Sequence, residues 1–243
     1  MYREYLPDIR LQHLIETYWV SDGIVENFQR EQIMPDGCVD IIFDFDKETS
    51  GTLTYGKPEL VGTMTSLLEI TYQPRRIQMM GIRFAPAGIT AFTQIPINEI
   101  TNRHIDLLMT ETLLDTDFYN RLPEMGNMQE RINYINQYFI KHLYKVYAVN
   151  QQIQYAISLI RKSTGQLSVK QLAQETCMCE RHLERKFKTS IGISPKLFSN
   201  VVRFQAARQY AKAHPEESLY SIAIACGYHD HSHMHKEFAR FSL

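Results

Sequence analysis

Towards the end of the chain the apolar residues fall at helical spacing, and one short arrangement of them is written twice. Leu172 and Ala173 are followed by Leu183 and Phe187; further on, Ile222 and Ala223 are followed by Met234 and Phe238, with Gly227 and Tyr228 in between. Leu183 with Phe187, and Met234 with Phe238, are i, i+4 pairs that a helix places on one face. Each unit is therefore predicted to be a helix, a tight turn and a second helix: 169–176 with 179–189, then 219–226 with 231–241. Ile153, Ile157 and Ile160 mark a preceding helix that ends in Ser163-Thr164-Gly165, and Ser168 is placed to cap the next one. Between the units Pro195 opens a long helix over 195–213, where its missing N–H costs nothing. Leu197, Val201, Phe204 and Ala211 supply its packing positions. Each pair of helices reads as a helix-turn-helix, the arrangement that sets a second helix into the DNA major groove.

The first half has another rhythm. β-branched and aromatic residues crowd 38–45 after the turn signal Pro35-Asp36-Gly37, and further runs at 52–55, 67–72 and 77–84 are separated by Gly56-Lys57-Pro58 and Gln73-Pro74-Arg75. These predict strands, and so a β-rich unit spanning mainly 16–85. Residues 5–20 carry Leu6, Leu11, Leu14, Ile15, Tyr18 and Trp19 at a spacing that leaves helix and strand both open. Over 98–146 the period becomes helical: Ile132, Ile135, Phe139 and Leu143 share one face, and a break at 123–127 divides the helices. That face either packs on the β-rich unit or pairs with a second copy. Periodicity pauses at 147–150 without Gly or Pro, which predicts a short polar hinge and a division into 1–149 and 150–243.

At the repeated residues the chain resembles the AraC/XylS family of transcriptional regulators. Ile222-Ala223, three intervening residues, then Gly227-Tyr228 followed by Asp230, Ser232 and His233, is similar to the family's signature around its second recognition helix. Gly192-Ile193-Ser194-Pro195 matches the Gly-x-Ser-Pro that opens the joining helix. The first half resembles a sensor-side domain carried by some members, through Met34-Pro35-Asp36-Gly37-Cys38-Val39-Asp40-Ile41-Ile42-Phe43, Gly81-Ile82-Arg83-Phe84, Pro86 and the run from Ile97 to Leu107. Ala87 stands where that resemblance places a glycine.

The resemblance implies an α+β protein. Its first part would be a cupin-like barrel or sandwich followed by helices, and its second an all-α domain with two helix-turn-helix units joined by a long helix. It implies a sequence-specific, effector-responsive transcriptional regulator of bacterial type, whose recognition helices lie about one DNA turn apart, roughly 34 Å. The family's usual closing helix is not found before Leu243. A truncated protein-interaction adaptor is therefore the alternative, with a cupin-type metal enzyme fused to a DNA-binding domain behind it.

Composition changes this picture only when it is divided. The 243 residues are 44% hydrophobic and 22% charged, an ordinary globular balance, with net charge −1. Residues 1–149 hold 13 Lys and Arg against 20 Asp and Glu, a balance of −7, whereas 150–243 hold 13 against 7, a balance of +6. The basic part is the one that carries the repeat, as phosphate contact requires. Arg3, Glu4, Asp8 and Arg10 interrupt any secretory signal, and no apolar run matches a bilayer. Cys38, Cys177, Cys179 and Cys226 lack loop-rich spacing, so a reduced, cytoplasmic protein is expected.

The candidate chemistry follows from the helix faces. With Leu183 and Phe187 inward, Arg181, Glu184, Arg185 and Lys188 lie outward. Arg181 and Arg185 suit bidentate contact with guanine or contact with phosphate, and Lys188 suits phosphate. Glu184 either accepts from a cytosine amino group or pairs with Lys188. In the second unit His231, Ser232, His235 and Lys236 take the outward positions. Trp19, Tyr55 and Arg83 are candidates for an effector pocket. His229, His231, His233 and His235 fall on opposite helix faces, and Cys177-x-Cys179 lacks zinc-finger spacing, so no metal or cofactor is expected. His13, His104 and His142 form no His-x-His and Cys38 is alone in the first half, so catalysis is not expected either. The expected partners are double-stranded promoter DNA and a small-molecule effector, with a homodimer and RNA polymerase also implied by the family, and no membrane.

Overall fold

A six-stranded antiparallel sheet organises the first half of the protein in the computed structural model, which describes residues 2–46, 58–107 and 114–242. Its strands run in the order β1 (Tyr2–Tyr5), β2 (Ile15–Val25), β7 (Arg75–Phe84), β4 (Val39–Asp44), β5 (Pro58–Val61) and β8 (His104–Asp106). A separate ribbon pairs β3 (Gln29–Ile33) with β6 (Leu68–Tyr72). On one face of the sheet Tyr18, Ile41, Phe43 and Phe84 pack against two helices, α2 (Thr116–Glu124) and α3 (Met128–His142). Ile132, Ile135 and Phe139 of α3 are buried in that core and Leu143 is packed beside it, so the amphipathic face is spent on the sheet. The opposite face carries a smaller cluster of Trp19, Ile77 and Met79.

Several local expectations change in the folded chain. Residues 5–20 resolve into the end of β1, a turn and the start of β2; β2 buries Tyr18 on one side and Trp19 on the other, which destroys the alternation a half-buried strand would show. The stretch 98–146 is not wholly helical, since β8 lies within it. α2 runs through Pro123 to Glu124, and the break narrows to 125–127, where Asn127 accepts from the Glu130 N–H and caps α3. The strand expected at 52–55, and Tyr55 with it, lies outside the described residues.

Six helices follow, α4 (Gln151–Lys162), α5 (Val169–Glu175), α6 (Glu180–Ile191), α7 (Pro195–Ala213), α8 (Leu219–Ala225) and α9 (His231–Ser242). They are fastened to the sheet region at several points. The short helix α1 (Ile97–Ile100) packs on α6, and Thr101 donates to the carbonyl of Gly192 at 2.9 Å, while Thr63 donates to that of Ile191. Gln205 donates to the Pro35 carbonyl at 2.9 Å, and Arg161 pairs with Glu16 at 3.2 Å. Gly37 lies under Phe198 so closely that a Cβ there would collide with the ring. Ala87 takes the left-handed φ of 64° that suits glycine, at a cost of about 1 kcal/mol, and its methyl is buried in the helical cluster around Ile157 and Phe187. Among the described residues no helix is long and apolar enough to cross a membrane.

Candidate nucleic-acid interface and adjoining cleft

The two helical units are built from the same local devices. Ser168 caps α5 in a capping box with Gln171, and Ser218 caps α8 by accepting from the Ser221 N–H at 3.1 Å. After each supporting helix one residue turns left-handed, Cys177 at φ 53° and Gly227 at φ 76°. The second helix then starts from Cys179 in the first unit and from Asp230 in the second, where Asp230 accepts from the His233 N–H at 2.7 Å. That hydrogen bond lowers the Asp230 pKa. Counted from Ala173 and Ala223 the second helix begins one residue later in the second unit, so its turn is longer by that residue.

Both second helices turn the anticipated side chains inward. Leu183 and Phe187 are fully buried, Met234 is buried and Phe238 is packed against the same cluster as Met234. On α6 this leaves Arg181, Glu184, Arg185 and Lys188 exposed together, and on α9 it leaves His231, Ser232, His235 and Lys236 exposed. The described ion pairs do not include Glu184 with Lys188. Instead the Arg185 guanidinium reaches back to His182 Nδ1 at 3.3 Å, which orients one of the two arginines on this face. His182 was not among the anticipated residues; its place three residues before Arg185 is the signal that could have found it. Among the described residues no three His, Cys, Asp or Glu side chains stand together as a metal ion would require.

What holds α9 in place is a buried polar cluster that the spacing of apolar residues does not reveal. Arg203 of α7 pairs with Glu237 at 2.7 Å, Tyr228 donates to Glu237 at 2.8 Å, and the guanidinium lies 4.8 Å from the centre of the Tyr228 ring. Burial and the neighbouring Glu237 carboxylate push the Tyr228 phenol well above its ordinary pKa. Phe238 and Phe241 both pack on Phe204, with ring centres 4.8 and 5.2 Å away.

Trp19 and Arg83 meet on the outer face of the sheet. Trp19 Nε1 donates to Asp40 at 2.8 Å, and Arg83 Nε lies 3.2 Å from Asp40 and 3.5 Å from Asp36. Asp40 sits inside the otherwise apolar run Val39 to Phe43 of β4. Burial raises its pKa to about 6, against the opposing pull of Arg83 and Trp19. The Arg83 guanidinium is pushed above its ordinary pKa: burial works against this, and Asp40 and Asp36 outweigh it. Gly81 makes room for the indole, since a Cβ there would run into it. Trp19 and Arg83 line a cleft of about 550 Å³ whose far wall is α7, through Gln205, Arg208 and Lys212. Asp36, Asp40 and the α7 residues escaped the sequence analysis. An acid inside the run Val39 to Phe43 was the available signal for Asp40.

Comparison with known proteins finds two separate family matches along the chain. Residues 3–106 match a family described as a domain of unknown function (DUF6597), and residues 172–242 match one described as a helix-turn-helix domain. The HTH-type transcriptional regulator MtrA of Neisseria gonorrhoeae is 28% identical over 82 residues, 34% of this chain. That match spans 27% of the length of MtrA. Among solved structures, an apo point variant of ToxT from Vibrio cholerae aligns with TM-score 0.47 and 13% identity, covering 93% of this chain and 94% of that one. Wild-type ToxT bound to an unsaturated fatty acid aligns with TM-score 0.44 and 12% identity, covering 98% and 94%.

Proposed function

We propose that this chain, whose residues 172–242 form an AraC-type helix-turn-helix domain, is a transcriptional regulator that reads two successive major-groove segments of promoter DNA with α6 and α9. One observation carries the reading: in both units the apolar pair of the second helix is turned into the core, and every residue anticipated to meet DNA is left exposed on the opposite face. Arg181 and Arg185 read bases or grip phosphate, Lys188 and Lys236 contact phosphate, and Glu184, His231, Ser232 and His235 supply the remaining polar contacts. The helix α7 spaces the two readers. Residues 150–243 are then the DNA-binding part and 1–149 the sensing part.

The cleft beside Trp19 and Arg83 is the effector site in this reading. Among the described residues, the void inside the sheet region beside Phe84, Phe92 and Phe139 is about 10 Å³, room for one water at most. The 550 Å³ cleft falls in the range of small-molecule sites and is walled by the same helix that spaces the readers. An occupant favouring one placement of α7 would change DNA affinity by its difference in affinity for the two placements.

Selection from random-sequence duplexes at two salt concentrations tests the proposal. A bipartite site should be enriched, lost in the Arg181→Ala, Arg185→Ala variant, and weakened by salt. A folded protein that enriches no sequence would refute it.

A further inference from the structure

The four cysteines divide into two kinds. Cys38 and Cys226 are buried, and burial pushes their thiols up, which makes them poor nucleophiles. Cys177 and Cys179 are exposed and stand two residues apart in the turn of the first helical unit. Both hold positions at which the backbone favours other residues. Cys177 takes a left-handed φ of 53°, where the second unit has Gly227 at φ 76°. Cys179 is the N-cap of α6 yet makes no side-chain hydrogen bond to the helix, whereas Asp230, just before α9, accepts from the His233 N–H. The first unit thus carries two thiols where the second carries a glycine and a capping carboxylate. Local preferences broken twice within three residues point to a role outside folding.

We propose that Cys177 and Cys179 are a modification site for peroxides, closing to a disulfide within the chain that displaces the start of α6 and so takes the first reader off DNA. The bond itself goes beyond the regulator reading; its effect on DNA rests on that reading. One thiolate attacks a peroxide oxygen and the O–O bond breaks, leaving a sulfenic acid and releasing hydroxide. The second thiolate attacks the oxidised sulfur; the S–S bond forms, the S–O bond breaks, and the second oxygen also leaves as hydroxide. The two thiol protons convert both hydroxides to water, so the thiols lose two electrons and the peroxide gains them. Two residues apart, the Cα atoms lie within about 7 Å of each other in any conformation, the outer limit of disulfide reach. Closing the bond draws Cys179 towards Cys177. The Cys179 carbonyl accepts from the N–H groups of His182 and Leu183, so the first turn of α6 moves with it, Arg181 included. Met178 between them is packed on the core of the unit and opposes the movement, which leaves the small ring strained and easily reduced.

The intact, reduced chain is treated with hydrogen peroxide and, in parallel, with diamide, which oxidises thiols and spares Met178. Trypsin cuts after Lys170 and Arg181, so residues 171–181 form one peptide that carries both exposed cysteines and neither buried one. In the diamide arm this peptide should be lighter by two hydrogens and should revert with dithiothreitol. In both arms affinity for the selected duplex should fall by about tenfold or more and recover on reduction. Oxidation should also lower the melting temperature, which needs no DNA. The Cys177→Gly, Cys179→Ser variant should bind the duplex as the reduced protein does, ignore both oxidants and melt higher, since glycine and serine suit the two positions. An unaltered peptide, oxygen added to its cysteines as the final product, a bridge between two chains, a less stable variant, or a disulfide that leaves DNA affinity unchanged would each overturn the inference. Should the reduced chain select no duplex, the regulator reading is removed, while the peptide mass and the melting temperature still decide the thiol pair.

Discussion

Arg203 and Glu237 meet at 2.7 Å with their side chains 7% and 5% exposed, and this pair joins α7 to α9. Such a pair contributes little net stability compared with an apolar replacement, but removing one member leaves an uncompensated buried charge. Glu237→Ala should therefore destabilise the second unit by about 3–5 kcal/mol, whereas Tyr228→Phe, which removes one hydrogen bond to a charged group, should cost about 2 kcal/mol. Urea unfolding followed by circular dichroism would register both. Equal effects from the two substitutions would show that the ion pair is not what fastens α9.

A second contact ties α6 to the sheet region. The Thr101 hydroxyl donates to the carbonyl of Gly192, which ends α6 at φ 92°. Thr101→Val should cost about 1 kcal/mol. Gly192→Ala should cost more, since it adds backbone strain of about 1 kcal/mol to a methyl directed at Thr101 and Ile97. The order of the two melting temperatures checks this, and a more stable Gly192→Ala protein would contradict the described packing.

Lys188 and Arg185 lie on the same exposed face of α6, yet different losses are expected from them. Lys188→Ala should weaken binding evenly across DNA sequences and flatten the slope of log affinity against log salt by about one. Arg185→Ala should also relax base preference at one position of the site. Affinities measured over a salt series on the selected duplex and a scrambled one distinguish the two.

Asp40 makes stability depend on pH. Its pKa is raised to about 6 in the folded protein from an ordinary 3.8, so between these values the folded state binds more protons than the unfolded one. Stability from this group is then fully present below the unfolded value and is lost as pH rises through about 6, after which its contribution is flat. Asp40→Asn should remove this component. Trp19, hydrogen bonded to Asp40, should report the wild-type titration as a fluorescence change with a midpoint near 6 that is absent from the variant.

The helical half was legible because its elements pack mainly on their neighbours in sequence. Leu183 with Phe187, the Ser168 cap and Pro195 at the start of α7 are local signals, and the elements formed around them within one or two residues of the expected ends. The sheet half was read less completely, for a physical reason in each place. β3, with the sequence Gln-Arg-Glu-Gln-Ile, is almost wholly exposed and owes its conformation to pairing with β6, so it carries no hydrophobic period. β5 and β8 are too short to establish one. β2 buries both faces and so imitates a helix as readily as a strand.

By itself the sequence determined the two helix-turn-helix units, the rod between them and the faces they expose, because a helix sets its own period and its own caps. The pairing of Arg203 with Glu237, of Trp19 with Asp40 and of Thr101 with the end of α6 was decided only by tertiary structure. Each joins residues many positions apart through directional bonds that exist only after the chain has closed on itself. The cleft belongs to the same class: its floor comes from β2 and β7 and its far wall from α7, and no local pattern announces that these surfaces will face each other.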